Sequence, residues 1–204
     1  MAFACSALTE ADVRGQHVLE AGAFDVNGSV RGHVEGLGPA SYMGTDMRLG
    51  PGVDVLCTAE ELPSLFNVAM VGPTKGVVIS TEMLEHAADW QAAMHGMITA
   101  LRPGGVLVLT TRSAGFPVHG YPDDHWRFPV ESMRTILGAA GLTVERCEPD
   151  PDPASPGVFA KARKPDGWTW PYGLEDAWAA VHVDPVNISG SGGLTLPAPQ
   201  PVSG

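Results

Sequence analysis

The sequence predicts an α/β domain built on a doubly wound, mostly parallel seven-stranded sheet, and three observations lead there. Short apolar runs alternate with stretches of helical period between residues 17 and 164, the pattern of a parallel sheet covered by helices. The first run, His17–Ala21, ends in an acidic residue and a glycine turn with a helix just beyond, as strands do at ligand-binding edges of such sheets. The last two runs, Leu142–Cys147 and Val158–Ala162, are joined by the proline-rich turn Pro149–Pro156. They read as a hairpin-like pair that adds one antiparallel strand.

After the first strand a helix is expected from Asn27 to Leu37, then strands at Tyr42–Asp46 and Val53–Cys57. Only Met47-Arg-Leu-Gly-Pro-Gly52 joins these two strands. A parallel crossover normally takes a dozen or more residues, whereas six extended ones reach roughly 20 Å. The usual helix between the second and third strands is therefore predicted to be missing. Val77–Ser80 reads as the fourth strand. The following helix, Trp90–Leu101, has Trp90, Met94, Met97, Ile98 and Leu101 on one apolar stripe. Arg102-Pro-Gly-Gly105 stops it, and Val106–Thr110 is a fully apolar fifth strand. Thr111–Phe128 is long and rich in Gly, Pro, His and Asp, so it reads as a functional loop. Pro129 opens a helix to Ala140, with Gly141 as its stop.

The domain is expected to span 1–164. A C-terminal extension, 165–204, carries Trp168, Trp170 and a short helix over Leu174–Val181, then a Gly/Ser/Pro-rich run from Ile188 to Gly204 that is expected to be mobile or draped on a partner. The extension is also the candidate surface for a homodimer contact.

Composition narrows the function. With 44% hydrophobic and 17% charged residues the chain is globular, and no apolar run is long enough to span a bilayer. The start, Met1–Asp12, lacks the features of a signal peptide. Cys5, Cys57 and Cys147 are odd in number and widely spaced, as reduced thiols of a cytoplasmic protein are. Twelve basic against 23 acidic residues give a net charge of −11, which repels a phosphate backbone. The charge argues against a nucleic-acid partner.

The most informative run is Val18-Leu-Glu20-Ala-Gly22-Ala-Phe24-Asp25-Val-Asn-Gly28. A dinucleotide site wants glycine at position 24 for approach to a pyrophosphate, and phenylalanine stands there instead. This disfavours a nicotinamide-dependent oxidoreductase and favours a nucleoside with an amino-acid tail. Asp46, ending the second strand, is placed to take both ribose hydroxyls. Met47 follows where a side chain can lie against adenine, and the Thr58-Ala59-Glu60 turn ends the third strand where an adenine edge can be read.

Glu20-x-Gly22, Asp46, Thr58–Glu60, Ser80-Thr-Glu-Met-Leu-Glu-His86, Leu101-Arg-Pro-Gly-Gly105 and Asp124-His-Trp-Arg-Phe128 together resemble the successive motifs of class I S-adenosylmethionine-dependent methyltransferases of the type 11 kind. The similarity covers residues 13–164. It implies a Rossmann-like fold, S-adenosylmethionine as cofactor, and methyl transfer. By the same resemblance Glu20 orients the cofactor's amino end, Gly22 gives its methionine part close approach, and Asp46 holds the ribose. Phe24, Asp25, Ser80 and Glu82 line the same cleft. Two departures stand out: Phe24 replaces the second glycine of the first motif, and Thr58 stands where the family often has aspartate.

Acceptor chemistry is expected after the fourth and fifth strands, where Glu82, Glu85, His86, His119, Asp123, Asp124 and His125 lie. His86, His119, Asp124 and His125 are the candidate catalytic groups. Glu82, Glu85 and His86 stand at i, i+3 and i+4, one face of a helix if a helix begins there. Two carboxylates and an imidazole suit Mg²⁺ or Mn²⁺, and Zn²⁺ after them. The Glu-x-x-Glu-His run is similar to the metal site of small-RNA 3′-terminal 2′-O-methyltransferases and of ubiquinone-pathway O-methyltransferases. The RNA enzymes add a later-loop histidine, for which His119 is the match here and His125 the second choice. Acidic residues in a first helical turn also suit the helix dipole without any metal. The reading that results is an O-methyltransferase acting on a small sugar-like or secondary-metabolite hydroxyl. Its rivals are an RNA 3′-end 2′-O-methyltransferase and a non-catalytic relative that binds the cofactor.

Overall fold

The computed structural model describes residues 1–68, 75–120 and 123–186, with the main chain alone at 67 and 68. Seven strands form one sheet: β1 (His17–Ala21), β2 (Ser41–Asp46), β3 (Val55–Leu56), β4 (Lys75–Thr81), β5 (Leu101–Arg112), β7 (Thr143–Pro149) and β8 (Gly157–Arg163). The remaining two, β6 (Trp126–Arg127) and β9 (Asp184–Pro185), pair with each other. The order in the large sheet is β3-β2-β1-β4-β5-β8-β7. All neighbours are parallel except at β8, which runs against both β5 and β7. The order reverses between β1 and β4, so the ligand crevice of an open α/β sheet falls at their carboxyl ends.

Alternation along the central strands divides the core in two. Val18, Val77, Ile79, Val106 and Val108 face α1 (Ala2–Ala7), α2 (Glu10–Val13) and α3 (Arg31–Gly36). Leu19, Val78, Leu107 and Leu109 face α4 (Leu62–Val68), α5 (Trp90–Ala100), α6 (Val130–Ala139) and α7 (Leu174–Ala179). Helix α5 starts where the Asp89 side chain accepts the Ala92 N–H at 3.0 Å. It stops at Leu101, just ahead of Pro103 and of Gly104 at φ 75°.

No helix lies between β2 and β3, as their short link requires. The link Met47–Asp54 instead folds back over the turn after β1. The Asp25 N–H donates to the Pro51 carbonyl at 2.9 Å, and a Cβ at Gly52 would overlap the Ala23 carbonyl oxygen. Several sequence expectations shift. The third strand shrinks from Val53–Cys57 to two residues, and the fifth begins already at Leu101. The first helix covers Arg31–Gly36 rather than Asn27–Leu37. Pro129 caps α6 from outside instead of opening it.

The described part of the C-terminal extension is not separate from the domain. Leu174 and Trp178 belong to the same core as α5 and α6, and Trp178 Nε1 donates to the Ile136 carbonyl at 3.0 Å. Trp168 Nε1 donates to the Ala140 carbonyl at 2.8 Å. The run expected to be mobile, Ile188–Gly204, lies outside the described residues. Among the described residues no helix is long and apolar enough to cross a membrane.

One polar cluster ties α2 to the far edge of the sheet. Asp12, already half of a capping box with Thr9, accepts from Lys161 Nζ at 3.0 Å and Arg163 Nη2 at 2.8 Å. Burial alone would raise the Asp12 pKa, but the bonds from Arg163, Lys161 and Thr9 outweigh it and hold the carboxyl well below the usual range. A carboxylate depressed in the folded state stabilises above its unfolded pKa, and the contribution is lost as pH falls through the depressed value. Asp12→Ala is expected to cost about 2 kcal/mol at pH 7, between an exposed pair and a buried one. The deficit should narrow below about pH 4. Urea unfolding of both proteins at pH 7 and pH 3 checks this, and an equal deficit at both would contradict it.

Candidate functional site

The turn after β1 and the turn after β4 meet at the crevice. Gly22 has φ 79°, a conformation that L side chains rarely adopt. A Cβ there would lie 2.5 Å from Met83 Cγ. The glycine thus lets the β4 turn close on the β1 turn; whatever space it leaves is shared with Met83. Glu20 is buried, and its Oε2 accepts the Tyr42 hydroxyl at 2.5 Å. Burial pushes the Glu20 pKa up and the tyrosine bond opposes that. Burial, with Glu20 beside it, raises the Tyr42 pKa too. The Arg31 guanidinium lies over the Tyr42 ring at 4.6 Å and pairs with Asp54. Neither Tyr42, Arg31 nor Asp54 stood out in the sequence.

Asp46 ends β2 with its carboxylate between two loops. Oδ2 accepts the Phe24 N–H at 3.3 Å and Oδ1 the Arg48 N–H at 3.0 Å. Asp25 bonds the Gly28 N–H at 2.8 Å, closing its own turn. Met47 is exposed beside them. Thr58 does local work: its N–H and hydroxyl both donate to Glu61 Oε2, at 3.0 and 3.1 Å, at the start of α4. Ala59 is buried, and its carbonyl is pressed against Gly96 of α5. Glu60 is half-buried in the same turn. Ser80, at the end of β4, is fully buried with its hydroxyl unpaired.

Past β4 the chain does not continue as an α-helix. Glu82 takes φ 54°, the one positive value at a non-glycine residue among those described, and Leu84–His86 forms a single 3-10 turn. This breaks the i, i+3, i+4 face that the spacing suggested. Glu82 turns away to pair with Arg112, whose guanidinium lies 4.1 Å from the Phe116 ring centroid. Glu82 therefore stands outside the group it was expected to join.

Glu85, His86 and His119 do come together, with one ligand atom of each within 4.8 Å of the others. Glu85 is fully buried. Its Oε2 accepts the Thr111 hydroxyl at 2.7 Å. Its Oε1 has no hydrogen bond and lies 3.9 Å from Nε2 of His86 and 3.9 Å from Nε2 of His119. Burial, with Glu82 nearby, pushes the Glu85 carboxyl up to about 8. The two rings meet edge to face, centroids 4.8 Å apart.

His86 is held through its other ring nitrogen and His119 through its main chain. His86 Nδ1 bonds the Asp123 carbonyl; a carbonyl only accepts, so the proton sits on Nδ1 and Nε2 carries a lone pair. Burial lowers the His86 pKa, against the pull of that bond. His119 Nδ1 lies 3.0 Å from Asp124 Oδ2, not aligned as a hydrogen bond, but close enough for the carboxylate to favour a proton there. The same oxygen takes the His119 main-chain N–H at 2.8 Å. Asp124 is paired with Arg127, at 2.6 Å to Nη2. Burial would raise its pKa, but the Arg127 bonds prevail and lower it. Asp124 is thus a support for His119. The His125 ring stands outside the cluster, although its main-chain N–H donates to the Glu85 carbonyl at 2.8 Å.

Two lone pairs and a carboxylate oxygen facing one another repel unless a proton or a cation lies among them. An unpaired buried oxygen facing both Nε2 atoms, with His86 fixed through its far nitrogen and His119 through its main-chain N–H, fits a divalent ion of the transition series.

This sheet order, with a crevice between β1 and β4, is the class I S-adenosylmethionine-dependent methyltransferase fold. Among solved structures, an S-adenosylmethionine-dependent methyltransferase from Mesorhizobium loti is similar over 79% of this chain and 96% of that one, with TM-score 0.58 and 18% identity. One from Listeria monocytogenes is similar over 75% and 91%, with TM-score 0.55 and 14% identity. In sequence, 72 residues are 32% identical to the ubiquinone biosynthesis O-methyltransferase of Parvibaculum lavamentivorans, 35% of this chain and 26% of that enzyme. No protein-family model matches the chain.

Proposed function

We propose that the protein transfers a methyl group from S-adenosylmethionine to a hydroxyl of a small molecule, with a divalent metal at Glu85, His86 and His119. The observation that carries the reading is the unpaired Glu85 Oε1 facing two imidazole Nε2 atoms, one turn from the crevice of a methyltransferase fold. The partial match to an O-methyltransferase supports the oxygen acceptor.

In such a transfer the acceptor oxygen bonds to the methyl carbon as the carbon–sulfur bond breaks. Its electron pair returns to sulfur, and the hydroxyl proton leaves to a base. The protein's task is alignment and exclusion of water. Asp46, with the main chain of Phe24 and Arg48 around it, would hold the ribose. Ser80 offers an unpaired hydroxyl at the switch point. A bound ion would supply the charge that lowers the pKa of the acceptor hydroxyl. Two nitrogens and one oxygen suit Mn²⁺, Fe²⁺ or Zn²⁺ better than Mg²⁺, since Glu82 is spent on Arg112.

An RNA 3′-terminal hydroxyl is the second acceptor class, favoured by the glutamate-histidine pair joined by a later-loop histidine. The net charge of −11 opposes it. Incubating the metal-loaded chain with labelled S-adenosylmethionine, and with polyhydroxylated small molecules or short oligoribonucleotides, separates the two. Calorimetry that shows NAD binding and no S-adenosylmethionine binding would sink both.

Asp46→Ala is expected to weaken S-adenosylmethionine binding about tenfold, through lost charge-assisted bonds to the ribose. Because the carboxylate also staples the Phe24 and Arg48 loops, a modest drop in melting temperature should accompany it. Unchanged affinity by titration would place the ribose elsewhere.

A further inference from the structure

We propose that the C-terminal segment Val181–Val186 is a working part of the histidine-carboxylate centre, a strap that holds the loop on which both imidazoles lean. The inference rests on reading Glu85, His86 and His119 as a metal centre. Loop 123–127 carries the Asp123 carbonyl that fixes His86 and the Asp124 carboxylate that faces His119. Its own main chain is sandwiched: the His125 N–H donates to the Glu85 carbonyl at 2.8 Å, and the His125 carbonyl accepts the Val186 N–H at 2.8 Å. Trp126 and Arg127 pair antiparallel with Pro185 and Asp184.

The strap has anchors of its own. Ser132 Oγ donates to the His182 carbonyl at 2.5 Å, and Trp178 is buried with its ring 5.8 Å from that of Trp90. Val181 and Val183 are half-buried against the same core. The loop has side-chain ties, since Trp126 packs on the core and donates Nε1 to the Ala87 carbonyl at 2.9 Å and Arg127 pairs with Asp124. The main chain at His125, between those ties, is fixed by a ladder on either side, and one rail of that ladder is β9. Groups that orient metal ligands typically change metal affinity by 10–100-fold when removed. The strap acts one step further out, through Asp123 and Asp124, so Val186 and Ser132 are positioning residues.

The test uses the full chain. Val186→Pro removes the N–H that bonds His125, Val186→Ala keeps it, and Ser132→Ala cuts the second tie. Nitrogen-15 spectra of the metal-free wild type should show His86 held as the Nδ1–H tautomer. The Val186→Pro/Ser132→Ala double variant should show a mixture of tautomers and bind Mn²⁺ about tenfold more weakly by calorimetry. Val186→Ala should match the wild type in both. If the double variant does not fold, Ser132→Ala alone is compared, with the same direction of change and a loss of about threefold. A folded variant with the wild-type tautomer spectrum overturns the strap, and so does an equal loss in Val186→Ala. A wild type that binds no divalent metal, while the tautomers still shift in the double variant, sinks the metal reading and leaves the strap standing.

Discussion

Replacing Glu85 with glutamine is expected to weaken binding of a divalent metal by about 100-fold or more and to abolish metal-dependent methyl transfer, while cofactor binding is kept. Loss of an outer-shell support already costs 10–100-fold in comparable centres, and Glu85 would be a direct ligand. The substitution changes little else. The introduced amide oxygen can still accept the Thr111 hydroxyl, and the side-chain volume matches. The carboxylate that it replaces is fully buried with one oxygen unpaired, a costly arrangement without a cation. Metal-free Glu85→Gln should therefore be at least as stable as the metal-free wild type. Calorimetry with Mn²⁺ and Zn²⁺, thermal melts and titration with S-adenosylmethionine on the same samples give all three numbers. Full metal affinity in the variant would return Glu85 to the core as a plain hydrogen-bond acceptor.

The central strands were legible because they are short apolar runs punctuated by Gly, Pro and Asp, and β4 and β5 are buried on both faces. The missing helix was legible from chain length alone. The N-terminal helices were not foreseen, although Thr9-x-x-Asp12 is a readable capping box. What that signal could not give is the meeting of Asp12 with Lys161 and Arg163, 149 and 151 residues away. Helix α4 was missed because Thr58–Glu60 was read only as a ligand turn, whereas Thr58 also bonds the side chain of Glu61, the residue just ahead of the helix. At the site, composition brought forward Glu85, His86 and His119 but also Glu82 and His125. Choosing among them needed the backbone: the positive φ at Glu82 sends its carboxylate to Arg112, and the 3-10 turn puts Glu85 inward. The strap was invisible for a simpler reason. Its contacts to loop 123–127 are main-chain bonds, which no side-chain pattern records.

Gly52→Ala is expected to lower stability by about 3 kcal/mol and to weaken S-adenosylmethionine binding with it, the largest effect for the smallest change outside the Glu85, His86 and His119 cluster. Gly52 has φ 88°, so any L side chain is strained there, at about 1–3 kcal/mol. The added methyl would also overlap the Ala23 carbonyl oxygen, a main-chain atom that no rotamer change can move. Overpacking of this kind adds about 1–3 kcal/mol. The β2–β3 link would have to lift from the turn after β1, breaking the bond from the Asp25 N–H to the Pro51 carbonyl. Asp46 would then lose its bonds to the Phe24 and Arg48 N–H groups. Gly50→Ala is the comparison: the three nearest atoms to a Cβ there all belong to the Phe24 ring, side-chain rather than main-chain atoms, and the expected cost is about 1 kcal/mol. Urea unfolding and cofactor titration of both variants decide the matter. Equal, small effects at the two glycines would mean that the link is not clamped on the turn after β1, and that the place of the missing helix is filled by a loop free to move.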